Sequence, residues 1–379
     1  MYRTYYPDPP GGLQEAIRQI CLATQPLGVE SRVFTLSPSP TPSIILREEG
    51  RVTRAKSWIA PASCDLGGFS AFRAFSQEAE WADVLHFHFP WPFADVLNLL
   101  PAARKPKILT YHSDIVRQKF LSSLYSPLMR ITMRSMDAVV ATSPAYAQTS
   151  IPIQRYVPAD KLRIIPLGIA DIAHIRPEDT SHIIDRLGLS NSPYVLALGV
   201  LRYYKGLHTL ISAAKKIRGK IVIAGGGPES EKLRAQMIAL NAENVIFAGR
   251  VDEKEKHELL RQCSSLVLPS HLRSEAFGMV LLEAAMYGRP LVCCDIGSGM
   301  SYVNQDGITG FLVPPESPEE LASAINQLLD KPIQARKMGQ NARERFLSLF
   351  SEEPLGKNYQ ALYSDLARHR LPREEGDVN

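Results

Sequence analysis

Residues 274–290 read S-E-A-F-G-M-V-L-L-E-A-A-M-Y-G-R-P, with one acid at the head, Glu275, and a second, Glu283, eight residues on. Between them an apolar run, Met279, Val280, Leu281 and Leu282, leads into Ala284, Ala285 and Met286. Gly288 and Pro290 then stop a helix, because a glycine past the last turn reverses the chain at no steric cost and a proline cannot continue it. The helix is predicted to begin near Gly278, with Glu275 just ahead and Glu283 inside. At about 100° per residue the two acids fall within about 80° of one azimuth. The first N–H groups of such a helix are unpaired and its dipole favours an anion, so its start suits phosphate. By spacing alone, the simpler reading is a buried α/β helix with two incidental glutamates.

The surrounding chain has the matching architecture. Apolar runs at 194–198, 220–224, 244–248, 265–268 and 290–294 read as strands, and a helix with Leu207, Leu210, Ile211, Ala214 and Ile217 on one face lies between the first two. Upstream, runs at 32–36, 83–87, 107–111, 138–141 and 162–165 alternate with helical patterns in the same way. Interleaved strands and helices predict parallel sheets covered on both faces. Residues 170–192 (ADIAHIRPEDTSHIIDRLGLSNS) are polar and broken, so a domain boundary is expected there. This gives a first domain over 1–170, a second over 171–350, and a final amphipathic helix with a polar tail over 351–379. A Ser-Pro-Glu-Glu start at Ser317 opens a helix with Ser as its cap.

A chain of 379 residues, 45% hydrophobic and 22% charged, has the composition of a folded two-domain protein and not of a disordered one. A net charge of +4 is too mild to point to nucleic acid. Five cysteines without framework spacing read as reduced thiols, and no apolar run reaches the length of a membrane span. A cytoplasmic protein is expected. Residues 115–136 carry Arg117, Lys119, Arg130 and Arg134 with no acid between Asp114 and Asp137. That segment reads either as a helix lying on an anionic membrane surface or as a packed helix with a solvated basic face.

Several groups stand at strand ends, where open α/β sheets bind ligands. Gly11-Gly12 precede a helix with Leu13, Ala16, Ile17, Ile20 and Cys21 on one stripe, and a glycine pair there lets amides approach a phosphate. Only Met1 precedes Tyr2, so the first strand is either very short or begins upstream. His86 and His88 alternate along one strand and so face the same side, and His112 follows the next strand. No spacing supports zinc at these three histidines. Arg202 and Lys205, in L-G-V-L-R-Y-Y-K-G-L, suit a diphosphate. The glycines of 224–228 (AGGGP) lack the third glycine and the distal acid of a dinucleotide fingerprint, which weakens an NAD-linked oxidoreductase reading.

The wording of 274–290 resembles the E-x7-E segment of the retaining glycosyltransferases of family 4, which have the GT-B fold. The resemblance extends over nearly the whole chain and is most specific over 193–315. It implies two Rossmann-like, doubly wound domains facing across a cleft that holds the active site. It assigns Glu275 to the donor sugar, the backbone of Gly278, Met279 and Val280 to the diphosphate, and Glu283 to the ribose. His112 corresponds to the catalytic histidine beside the sugar hydroxyls, Gly11 and Gly12 to the loop facing the diphosphate, and Arg250 to the region that contacts the base. Lys205 carries over directly. Relatives usually have a Gly-Arg pair here, whereas Gly199 is followed by Val200 and the arginine comes at Arg202. The run H-F-H-F-P-W-P at 86–92 is similar to a subgroup handling GDP-linked mannose or deoxyhexoses, with a lipid-linked saccharide as the implied acceptor. No Asp-x-Asp occurs in the chain, so donor binding without a metal or other cofactor is expected. A non-catalytic sugar-nucleotide or glycan-binding regulator on the same fold is the alternative.

Overall fold

The computed structural model describes residues 1–8, 11–59, 65–114, 119–175, 182–190 and 192–368, with backbone alone at 119–124. The chain divides into two compact units. One comprises 1–142, 150–168 and the C-terminal segment from 352, and the other 143–149 and 169–351.

In the first unit, strands β1 (Arg32–Ser37), β2 (Ile44–Arg47), β3 (Gly50–Ile59) and β4 (Leu66–Gly67) form one sheet. Strands β5 (Leu85–Phe89), β6 (Lys107–Tyr111), β7 (Ala138–Ala141) and β8 (Leu162–Ile164) form another, all parallel. Residues 1–3 lie between β1 and β5. Tyr2 N–H donates to Phe34 O (3.3 Å) and Leu36 N–H to Arg3 O (3.3 Å), while His88 N–H donates to Met1 O (3.2 Å). These few residues therefore hydrogen-bond like a strand on both sides. The expectation of purely parallel pairing needs correction here, because β2 and β4 run antiparallel to β3. β3 escaped the pattern reading because Arg51, Arg54 and Lys56 interrupt it. Arg54 is nonetheless buried, since its guanidinium donates to Ser37 Oγ (2.8 Å), Ser39 O (2.9 Å) and Asp8.

The second unit contains β9 (Tyr194–Leu198), β10 (Lys220–Ala224), β11 (Val245–Gly249), β12 (Ser265–Leu268), β13 (Leu291–Cys294) and β14 (Gly310–Val313). They form one parallel sheet in the order β11-β10-β9-β12-β13-β14. Val195, Ala197, Ile221, Ile223, Val267 and Val292 pack under the helices Leu207–Ala213 and Pro318–Asp330. Burying aliphatic side chains on both faces of the strands is what a parallel sheet requires. Ser317 precedes its helix as expected, but its side chain makes no capping hydrogen bond.

The helix over 119–135 turns Met129, Thr132 and Met133 inward and leaves Arg130, Ile131 and Arg134 exposed. Arg117 and the Lys119 side chain lie outside the described residues. Among the described residues no helix is long and apolar enough to cross a membrane.

The C-terminal helix Glu352–Arg368 belongs to the first unit, where Leu355, Tyr359 and Leu362 join Ile20, Ile108 and Val140 in one core. It approaches the first helix, Gly12–Thr24, so closely that a Cβ at Gly356 would lie 2.2 Å from Ala23 O. Gly356→Ala is therefore expected to force the helices apart and cost about 1–3 kcal/mol, as overpacking does. Urea denaturation beside the exposed control Lys357→Ala measures this, and equal midpoints for the two variants would refute the close contact.

Candidate active site

β9 and β12 are neighbours, yet the chain leaves them in opposite directions across the sheet, towards β10 and towards β13. Their outgoing loops diverge, which opens a crevice at the carboxyl ends of the strands. Just beyond, the two loops are tied together. His271 N–H donates to Tyr204 O (3.0 Å), and a Cβ on Gly206 (φ +67°) would sit 1.9 Å from Pro269 O. This contact places Lys205 Nζ against Glu275 Oε2, which also accepts from Ser270 Oγ at 3.4 Å. Both side chains are largely buried. Burial by itself would lower the Lys205 pKa, but the Glu275 charge and Tyr204 outweigh it and hold the ammonium above its ordinary range. The exposed Arg202 pushes the other way, so the two cations sense each other's field.

Glu275 leads into the helix Met279–Met286, whose N-cap Gly278 has φ +83°. Leu281 N–H returns to Gly278 O (2.8 Å), but no acceptor among the described residues reaches the N–H groups of Met279 and Val280. Glu283, inside the helix and half-buried, accepts from Lys256 Nζ at 2.9 Å. Lys256 also pairs with Glu253 at 2.7 Å, and the two carboxylates raise its pKa against the effect of burial. Each glutamate thus has its own lysine.

The glycines at 225–227 bring backbone close to backbone. A Cβ on Gly225 (φ +138°) would meet Gly199 O at 2.0 Å, and one on Gly227 would meet Leu201 O at 2.5 Å. Gly227 N–H is taken by Ser230 Oγ (3.1 Å). The stem of the exposed Arg250 lies over Gly226.

In the first unit, His86 and His88 do face the same side, with ring centroids 4.2 Å apart. His88 Nδ1 is 2.9 Å from His112 Nε2, and His86 uses both nitrogens, on Thr110 Oγ1 (2.7 Å) and Tyr363 OH (2.8 Å). Burial lowers all three pKa values, that of His112 to about 3. These are neutral rings at pH 7. Gly11 caps the first helix, and its N–H is taken by Gln14 Oε1 (3.0 Å), whereas a Cβ on Gly12 would meet nothing within 4 Å.

The profile of the glycosyl transferases group 1 matches residues 179–345, and that of glycosyltransferase family 4 matches residues 10–171. The D-rhamnosyltransferase WbpZ of Pseudomonas aeruginosa is 41% identical, over 92% of this chain and 91% of that protein. The chain belongs to the family-4 glycosyltransferases. The O-antigen chain mannosyltransferase C of Escherichia coli is 37% identical over 97% of both chains. Among solved structures, Anabaena HepE in complex with UDP-glucose superposes with a TM-score of 0.78 at 20% identity, covering 96% of this chain and 98% of that one. Sucrose-phosphate synthase from Thermosynechococcus elongatus gives 0.76 at 23%, over 95% and 94%. These likenesses show the GT-B fold expected from the sequence.

In this glycosyltransferase the second unit brings Arg202, Lys205 and Glu275 together, with the helix start at Gly278 directly after Glu275. Sequence reasoning missed Lys256, which lies 27 residues before Glu283 on another helix, and Ser270. It also missed Thr110, Tyr359 and Tyr363, which line up behind the histidines with Thr110 Oγ1 2.9 Å from Tyr359 OH. No local pattern marks such long-range partners.

The three histidines give the transferase an acid sensitivity of definite sign. A base whose folded pKa is depressed stays neutral while its unfolded counterpart takes a proton. Stability is then lost as pH falls from about 6.5 towards the folded values, by about 1.4 kcal/mol per pH unit for each such ring. His112→Gln is expected to reduce the loss between pH 7 and pH 5 by one ring's share in urea titrations. An unchanged pH slope would mean that His112 titrates as an ordinary histidine.

Proposed function

We propose that this glycosyltransferase is a retaining enzyme that moves mannose or a 6-deoxyhexose such as rhamnose from a GDP donor onto a lipid-linked saccharide. The product belongs to surface polysaccharide, O-antigen or lipopolysaccharide, and the donor binds without a metal. The names of the two relatives, a D-rhamnosyltransferase and an O-antigen chain mannosyltransferase, support the sugar class and the pathway. The observation that carries the chemistry is the meeting of Lys205 and Glu275 at the sheet's switch point, beside a helix start whose N–H groups at Met279 and Val280 have no acceptor among the described residues.

Departure of the nucleotide diphosphate from C1 is the hard step. Lys205, Arg202 and the N–H groups of Met279 and Val280 are assigned to the charge that develops on the leaving group, as preorganised electrostatics. Glu275 faces the cation that develops at C1, and Glu283, positioned by Lys256, takes the ribose hydroxyls. Arg250 is assigned to the base and Gly12, with Gly11, to the diphosphate. A buried, neutral His112 suits hydrogen bonding to sugar hydroxyls better than proton transfer. The lipid part of the acceptor is assigned to the exposed Trp58, Ile59 and Phe69 of the first unit. Peripheral attachment to the cytoplasmic face of a membrane, through Arg130, Ile131 and Arg134 on the 119–135 helix, belongs to the same proposal.

The two glutamates separate kinetically. Ribose binding is similar in ground and transition states, so Glu283→Ala is expected to raise the donor KM with little change in kcat. Glu275→Gln keeps the shape but removes the charge, and kcat is expected to fall roughly a hundredfold, about 2.7 kcal/mol of barrier. Nucleotide diphosphate should still bind that variant. Steady-state kinetics with GDP-mannose, GDP-rhamnose and UDP-glucose, using extracted lipid-linked acceptor, reads both effects and the donor preference together. Wild-type kcat in Glu275→Gln, or preference for UDP-glucose, would overturn the corresponding part.

A further inference from the structure

His208, His271 and Glu316 stand on three separate segments of the second unit. His208 is on the helix after β9, His271 is in the loop after β12, and Glu316 is in the loop after β14. One potential ligand atom from each lies within 4.8 Å of the other two. His271 is 92% buried, yet neither of its ring nitrogens has a hydrogen-bond partner among the described residues. An imidazole normally satisfies both nitrogens when it leaves water. His271 instead presents its ring to His208 and Tyr203, with centroids 5.1 Å and 4.8 Å away. Glu316 holds a left-handed backbone (φ +57°), uncommon for any residue but glycine, asparagine or aspartate, and its carboxylate is exposed.

We propose that His208, His271 and Glu316 form a binding site for a divalent transition-metal ion, zinc being the type ion, beside the cavity that His208 lines together with Arg202. Two imidazoles and one carboxylate are a borderline donor set that zinc, nickel or copper satisfies and magnesium or calcium does not. Metal–ligand bonds of about 2.0–2.2 Å place ligand atoms a little over 3 Å apart, so the three side chains need close by only an ångström or so. The remaining coordination position is open to water. Burial first, and then His208, lower the His271 pKa against the opposing pull of Glu316, which favours the neutral ring a metal requires.

The bound ion would join the loop that starts at β12 to the helix that follows Lys205, and both to the loop after β14. It therefore clamps the loops that carry Lys205 and Glu275, and none of its three ligands is among the residues assigned to the phosphates. This is compatible with metal-free donor binding, and its test uses no donor.

Untagged protein stripped with EDTA and dialysed free of it is titrated with zinc by calorimetry, with cobalt(II) absorption as a second probe. One zinc per chain, visible cobalt d–d bands, and a melting temperature raised by roughly 3–7 °C at 100-fold excess over Kd are expected. His208→Gln and His271→Gln should abolish the stoichiometric site, and magnesium should not compete. His271→Gln risks misfolding because that ring is buried. Glu316→Gln, at an exposed position, keeps the fold by circular dichroism and should weaken zinc at least tenfold. Absence of stoichiometric zinc in the wild type, or unchanged affinity in Glu316→Gln and His208→Gln, overturns the proposal.

Discussion

The second unit is organised by a single ion pair, Lys205 with Glu275, at the point where the sheet's winding reverses. Taking two charges out of water is costly, and the pair persists only because geometry and further hydrogen bonds compensate. The compensation is visible in the loops. Gly206 allows the backbone to press against Pro269, His271 N–H fastens to Tyr204, and Ser270 adds a donor to the same carboxylate oxygen. A side chain at Gly206 would push the loops apart and leave a buried ammonium facing nothing. The fold therefore specifies the pair, and the pair in turn fixes how the loop enters the helix at Gly278.

A second, parallel arrangement explains why two glutamates so close in sequence can differ in role. Glu275 stands outside the helix, buried and bound to a lysine from the β9 loop. Glu283 lies inside it, half-exposed and bound to Lys256 from a helix on the other side of β12. A charge that enters beside Glu275 meets a cation, a helix N-terminus and little water, conditions under which electrostatic interactions are strong. Beside Glu283 the surroundings are wetter, and under the proposed assignment to the ribose hydrogen bonding there changes little along the reaction coordinate.

Much of this was legible in the sequence, and the parts that were not share a cause. Five of the strands, β6, β7, β9, β10 and β12, fall where the apolar runs placed them, because buried parallel strands write themselves as short continuous Val, Ile and Leu runs. β5 begins two residues later than 83–87, at the point where Leu85 N–H finds Pro106 O. β3 was hidden by charged residues that only a folded partner set, Asp8 and Ser37 among them, makes burial-compatible. Met279–Met286 was readable from its glycine stops, and its two acids from their wording. The lysines that position those acids were not equally readable. Lys205 was readable as a diphosphate cation at a strand end but not as the partner of Glu275, and Lys256 was marked by nothing local, since pairing across 27 residues depends on how two helices pack.

The two units also divide the kinds of polar chemistry between them, and the physical reason is instructive. In the second unit the named groups are charged, and each lysine keeps its proton because a carboxylate outweighs its burial. In the first unit the named group is a histidine cluster without an adjacent carboxylate among the described residues, so burial wins and the rings are neutral. Desolvation acts on both sets with the same sign, and the presence or absence of a counter-charge decides the outcome. Under the proposed assignment this separation matches the reaction. Fixed charges belong where a diphosphate leaves with its electron pair, and uncharged hydrogen-bonding rings where sugar hydroxyls must be oriented without being protonated. If His112 lies beside the sugar as proposed, a cationic ring would oppose the positive character developing at the anomeric carbon, and its depressed pKa would serve the same end as the raised pKa of Lys205.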